Sequence, residues 1–173
     1  MKISLVGYMG SGKSVVGKAL ATKLNLEFFD LDQQIQDSAG MTIPELFKQY
    51  GEIKFRKLER ELLLQTLESR IGFVLALGGG TPVYYDNMKQ VNTHSTSFYL
   101  RSNLKFLAER LEKEKSKRPL IAHLKDEELP EFIAKHLFER RNFYEQAHHT
   151  VDIGSKSVDE ITQEIIHLLN LQK

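Results

Sequence analysis

The sequence contains no cysteine, which excludes disulfides, thiolate metal sites and a cysteine nucleophile. It also lacks an excess of either charge. Against 24 basic side chains stand 23 acidic ones, a formal net charge of +1, so no global field draws the chain to nucleic acid or to a membrane surface. Any anion must be held locally. No stretch reaches the roughly 20 apolar residues that a membrane helix needs. The short apolar run at residues 1–6 lacks the long apolar region and small-residue cleavage site of a secretory signal, and the cytoplasm is the expected compartment. The six histidines have no spacing with other ligands that argues for zinc and read as surface or core residues. Internal repeats and linkers are missing as well. What is present, 173 residues with 41% hydrophobic and 27% charged content, fits one globular domain over residues 1–173 that buries its own core.

Short apolar runs at residues 3–6, 27–29, 73–77, 97–100 and 151–153 read as strands, and stretches of helical periodicity separate them. That alternation is the signature of a parallel sheet covered by helices, an α/β fold. Thr42-Ile43-Pro44-Glu45 predicts a capping box with proline in the first turn, and Gly40 and Gly51 punctuate the helices on either side. Between residues 52 and 69, Phe55, Leu58, Leu62 and Leu67 form an apolar stripe, while Glu52, Arg56, Glu59 and Arg60 fall mostly on other faces of an amphipathic helix. From residue 112 to 129 the pattern degrades into a charged, mixed run. Residues 112–125 are the candidate lid over a site, with an ordinary solvated loop as the alternative.

Gly7-Tyr8-Met9-Gly10-Ser11-Gly12-Lys13-Ser14 matches G-x-x-x-x-G-K-S and sits between a predicted strand and a predicted helix, the context that a phosphate cradle requires. Its glycines let the backbone wrap an anion with N–H groups inward, and the helix adds its positive N-terminal end. Lys13 is expected to reach the β and γ phosphates of ATP and the Ser14 hydroxyl to bind Mg2+. Gly10, Ser11, Gly12 and Val15 complete the candidate nucleotide contacts. A purely structural turn has no need of a Lys-Ser pair in this place.

Along essentially its full length the chain resembles the shikimate kinases. The elements that carry the resemblance, in order, are the glycine loop, Asp30-Leu31-Asp32, Gly51-Glu52-Ile53-Lys54-Phe55-Arg56, Leu77-Gly78-Gly79-Gly80, Lys117-Arg118-Pro119-Leu120, and Arg140 four residues before Tyr144. The resemblance implies a three-layer α/β sandwich with a five-stranded parallel sheet in the order 2-3-1-4-5. It also implies substrate at the carboxyl ends of the strands, a helical substrate-binding region at about 33–62, a monomer, and transfer of the ATP γ-phosphoryl group to the 3-hydroxyl of shikimate with Mg2+.

Residue roles follow from the same resemblance. Asp32, expected at the end of the second strand, would accept a hydrogen bond from the acceptor hydroxyl as a catalytic group. Asp30, two residues earlier and so on the same side of an extended strand, would face the metal through a water. The alternative is that these residues merely cap a helix beginning near Gln33. Arg56 and Arg140 would clamp the substrate carboxylate in paired hydrogen bonds. Otherwise Arg56 is a surface partner of Glu52 and Arg140 a cation near a helix C-terminus. Asn142-Phe143 depart from the family's Pro-Leu, which makes Arg141 a rival for the second contact. Gly78, Gly79 and Gly80 would bring backbone N–H to the substrate, or else form a flexible turn. Arg118 in the lid would neutralise charge developing on the phosphates, and Arg110 would stack on adenine. Two other functions stay open at this stage: a kinase for another small hydroxylated substrate such as gluconate, and a nucleotide sensor that transfers nothing.

Overall fold

Period-two alternation within the apolar runs decides the layering. In the computed structural model, which describes residues 1–115 and 118–171, β1 (Lys2–Val6), β3 (Phe73–Ala76) and β4 (Thr96–Arg101) lie side by side. Successive side chains point to opposite faces. Phe73, Leu75 and Tyr99 enter one core while Val74, Phe98 and Leu100 enter another, all of them buried. With β2 (Glu27–Asp30) and β5 (His149–Asp152), five parallel strands run in the order β2-β3-β1-β4-β5, the three-layer α/β sandwich that the resemblance implies.

A sheet buried on both faces needs helices on both. α1 (Lys13–Leu24) and α8 (Val158–Asn170) cover one face through Val16, Leu20, Ile161 and Ile165. The other face carries α2 (Leu31–Ala39), α3 (Ile43–Glu68), α4 (Asn87–His94), α5 (Leu104–Glu114), the single turn α6 (Pro119–Ala122) and α7 (Leu129–Tyr144). No helix among the described residues is long and apolar enough to cross a membrane.

The capping box forms as its residues predict: Thr42 Oγ1 accepts from the Glu45 amide, and the Glu45 carboxylate accepts from the Thr42 amide at 2.7 Å. The helix expected over 52–69 is the second half of α3, which bends at Gly51. Part of the irregular run expected over 112–129 is ordered differently. α5 extends to Glu114, and α6 seats Ile121, fully buried, in the core. Lys117 of the basic run lies outside the described residues.

Candidate active site

The chain leaves β1 at the sheet's carboxyl edge, the crevice in which open α/β sheets bind ligands. It curls back at once: Ser11 N donates to Tyr8 O at 3.2 Å, and Gly10 and Gly12 take left-handed conformations, φ 80° and 84°, that disfavour other residues. Lys13 folds over this loop and donates to the carbonyls of Gly7 (2.7 Å) and Tyr8 (3.0 Å). Burial pulls its ammonium down to about 8, against the opposing pull of Asp32 and Asp30.

The two aspartates are not arranged as the sequence suggests. β2 ends at Asp30, and α2 begins at Leu31 rather than near Gln33, so Asp32 stands in the first helical turn and not at a strand end. The cause is Asp30 itself, which acts as N-cap: its Oδ1 accepts from the amides of Asp32 (3.1 Å) and Gln33 (3.4 Å). Its other oxygen, Oδ2, accepts the Ser14 hydroxyl at 2.6 Å. Capping and facing the phosphate loop are thus one arrangement and not alternatives. Asp32 lines the same cleft, packed so tightly on Gly78 that a Cβ there would come within 2.7 Å of its Oδ1. Burial first, and then the neighbouring Asp30 charge, raise its carboxyl to about 6 despite Lys13.

On the far side of Asp32 the glycine triplet meets Arg56. A Cβ on Gly80 would lie 2.8 Å from Arg56 Nη2, so only glycine lets this guanidinium lie against the backbone. Arg56 Nη1 donates to Glu59 Oε2 at 2.8 Å, its Nε stands 3.5 Å from Glu52 without a hydrogen bond, and the Tyr84 ring lies 4.0 Å from its central carbon. The contact with Glu52 expected at i,i+4 is therefore the weaker of two. Glu59, assigned by periodicity to an outer face, is only 1% exposed, and its second oxygen accepts the Thr81 hydroxyl at 2.6 Å. Burial would lower the guanidinium, but Glu59, with smaller contributions from Tyr84 and Glu52, makes the net shift upward.

α7 delivers Arg140, whose Nη1 stands 3.9 Å from the position a Cβ on Gly79 would take. Tyr144, one turn on, donates to the Gly79 carbonyl at 2.6 Å. Arg141 points elsewhere, bonded to Glu145 at 2.6 Å and 60% exposed. Sequence reasoning also missed the pairing of Tyr8 with His136 of α7, whose Nδ1 is 2.9 Å from the phenol oxygen. Burial, and secondarily Arg140, hold that imidazole neutral with a value near 4.

The cleft between loop and triplet, about 240 Å3, is also lined by Arg110, Glu114 and Arg118. Arg118 gives Nε (3.1 Å) and Nη2 (2.5 Å) to Glu114 Oε2, and Arg110 Nε stands 3.9 Å from Oε1. A larger open hollow of about 740 Å3, lined by residues such as Lys2, Asn92 and His148, lacks such a convergence of charges.

A lysine-bearing phosphate loop at the centre of a 2-3-1-4-5 parallel sheet, with a carboxylate and two arginines gathered across a narrow cleft, defines a P-loop kinase acting on a small molecule. The family model described as shikimate kinase matches residues 9–170, and the chain belongs to that family of ATP-dependent kinases. A shikimate kinase of Flavobacterium johnsoniae is 44% identical over 169 residues, covering 97% of this chain and 98% of the relative. The crystal structure of shikimate kinase from Bacteroides thetaiotaomicron superposes with a TM-score of 0.92 at 37% identity, over 98% of each chain. The Acinetobacter baumannii shikimate kinase in complex with shikimate gives 0.89 at 32% identity, over 99% of this chain and 94% of that one.

Proposed function

We propose that the chain transfers the γ-phosphoryl group of ATP to the 3-hydroxyl of shikimate, giving ADP and shikimate 3-phosphate. The observation that carries this reading is Arg56, held by buried Glu59 over Gly80 with Arg140 across Gly79, beside Asp32 and next to the phosphate loop. Two guanidinium groups at the acceptor end suit a carboxylate, and charged hydrogen bonds of this kind contribute about 1.5–3 kcal/mol each. A neutral sugar forgoes them.

Each group then has a role. Lys13 exchanges its bonds to the Gly7 and Tyr8 carbonyls for the β and γ phosphates, with the amides from Gly10 to Val15 around them. Asp32 accepts the hydrogen of the 3-hydroxyl, aims its oxygen at the γ-phosphorus and takes the proton as the P–O bond forms. Arg118 neutralises charge on the transferring group, while Arg110 lies along the nucleotide. The adjacent oxygens of Ser14 and Asp30, 2.6 Å apart at the cleft floor, are the hard donor set that suits Mg2+. When bound there, Mg2+ draws negative charge off the β and γ phosphates.

Coupled ADP release with Mg-ATP tests the proposal, comparing shikimate, quinate and gluconate. Turnover is expected on shikimate and should fall about 10²–10⁴-fold in Asp32→Asn. Turnover on gluconate or quinate alone would reassign the acceptor. Nucleotide binding with no turnover on any of the three would make the chain a sensor.

A further inference from the structure

Among the charged side chains lining the phosphate cleft, Glu114 is the one to which the proposed mechanism gives no part. Its place is unfavourable for its own helix. It is the last residue of α5, where the negative end of the helix dipole disfavours a carboxylate. What offsets this is the pair of arginines that face the nucleotide. Arg118 donates two N–H groups to one oxygen of Glu114, and Arg110 approaches the other. Both arginines are positioned for the phosphate loop. Arg110 Nη1 is 3.4 Å from where a Cβ on Gly12 would stand, and Arg118 is close enough to Lys13 for its charge to depress that ammonium. A carboxylate oxygen that takes two N–H groups of a guanidinium makes the contact a phosphate oxygen would make.

We propose that Glu114 is a positioning residue that stands in for the nucleotide phosphates, holding Arg118 in the free enzyme and yielding it when nucleotide binds. The inference rests on the assignment of this cleft to ATP. Arg118 gives Glu114 its Nε and Nη2 edge, the edge that makes a paired contact with a phosphate; in this proposal nucleotide takes that same edge, so binding breaks the pair and ADP departure restores it. The carboxylate thereby weakens nucleotide affinity while keeping Arg118 at the cleft mouth. Each partner is about one-third exposed, 34% and 36%, which makes the pair a modest one. Breaking it corresponds to a roughly two- to fivefold change in affinity.

Titration calorimetry with Mg-ADP on wild type, E114Q, R118A and the double variant tests this, with shikimate titrated in parallel. E114Q should bind ADP about two- to fivefold tighter, and E114A should do the same. Shikimate affinity should not move, and E114Q should have no effect on ADP once Arg118 is alanine. Unchanged or weaker ADP binding by E114Q overturns the inference. So does equal tightening in the R118A background, which would make Glu114 a general repulsive charge acting without Arg118. Failure of wild type to bind ADP at all would instead sink the assignment of the cleft to nucleotide.

Discussion

Asp30 and Asp32 have the same side chain and nearly the same neighbours, yet their partners divide the work between them. Asp30 spends one oxygen on two helix amides and the other on Ser14, so it is tied down from both sides. Asp32 has its backbone amide in that cap and its carboxylate over Gly78, in a place that favours a proton. A base must be ionised, so kcat/KM should fall about tenfold per pH unit below about 6. It should fall again above about 8, as buried Lys13 loses its charge. Between those limits lies the plateau of a bell. Nucleotide phosphates raise both values, so the kcat profile should sit to the alkaline side of kcat/KM. Asp32→Asn should erase the acid limb from its residual activity, and an acid limb that survives unchanged would remove Asp32 from the chemistry. The same shift acts on stability with a definite sign. Between 3.8 and about 6 the native state keeps a proton that the unfolded chain releases, so this contribution to stability declines as pH rises through that window. Lys13 and Ser14 were legible in the sequence because the loop's requirements are local. Glu59 was not, because whether a charged residue on a helix faces solvent or a buried arginine depends on what packs opposite, here Thr81 from beyond β3.

At the scale of elements, α3 shows how a single residue sets the direction of the half-helix that carries Arg56. Its first half is capped at Thr42 and its second carries Arg56 and Glu59, and the join is Gly51 at φ 75°, ψ 172°, a conformation essentially restricted to glycine. Nothing stands within 4 Å of where its Cβ would be, so a substitution meets backbone strain and no clash. Gly51→Ala should therefore destabilise the fold by about 1–3 kcal/mol, lowering Tm by roughly 2–4 °C per kcal/mol for a chain of this size. It should also raise KM for the acceptor more than KM for ATP, because Arg56 lies five residues on. A Tm unchanged in Gly51→Ala would mean that the bend relaxes without cost. The glycine was readable as punctuation between helices, and it stands as that: its non-helical backbone separates the two helical halves of α3. The strands were readable as short apolar runs, whereas their order came only with the family resemblance, since an apolar run says that a strand is buried and nothing about which strand is its neighbour. The start of α2 at Leu31 was misjudged because one aspartate serves both as cap and as partner of Ser14.

For the whole molecule, the free enzyme is already folded around its anion site. Lys13 occupies the loop carbonyls that surround the phosphate position, and Arg118 rests on Glu114. A ligand that binds only the native state then adds stability as RT ln(1 + [L]/Kd), about 2.7 kcal/mol at a hundredfold excess over Kd. For a chain of this length that corresponds to a rise in Tm of about 5–11 °C with Mg-ADP. Removing Mg2+ with EDTA should shrink the rise, since the phosphates then face Asp30 and Asp32 without a counter-cation. Lys13→Met should nearly abolish it. That variant also deprives the Gly7 and Tyr8 carbonyls of their donor, so its unliganded Tm should drop as well, and the quantity to compare is the ligand-induced shift within each protein. A Lys13→Met protein that still gains several degrees from Mg-ADP would mean that the loop amides hold the phosphates without the lysine, leaving Lys13 to act only on the transferring group.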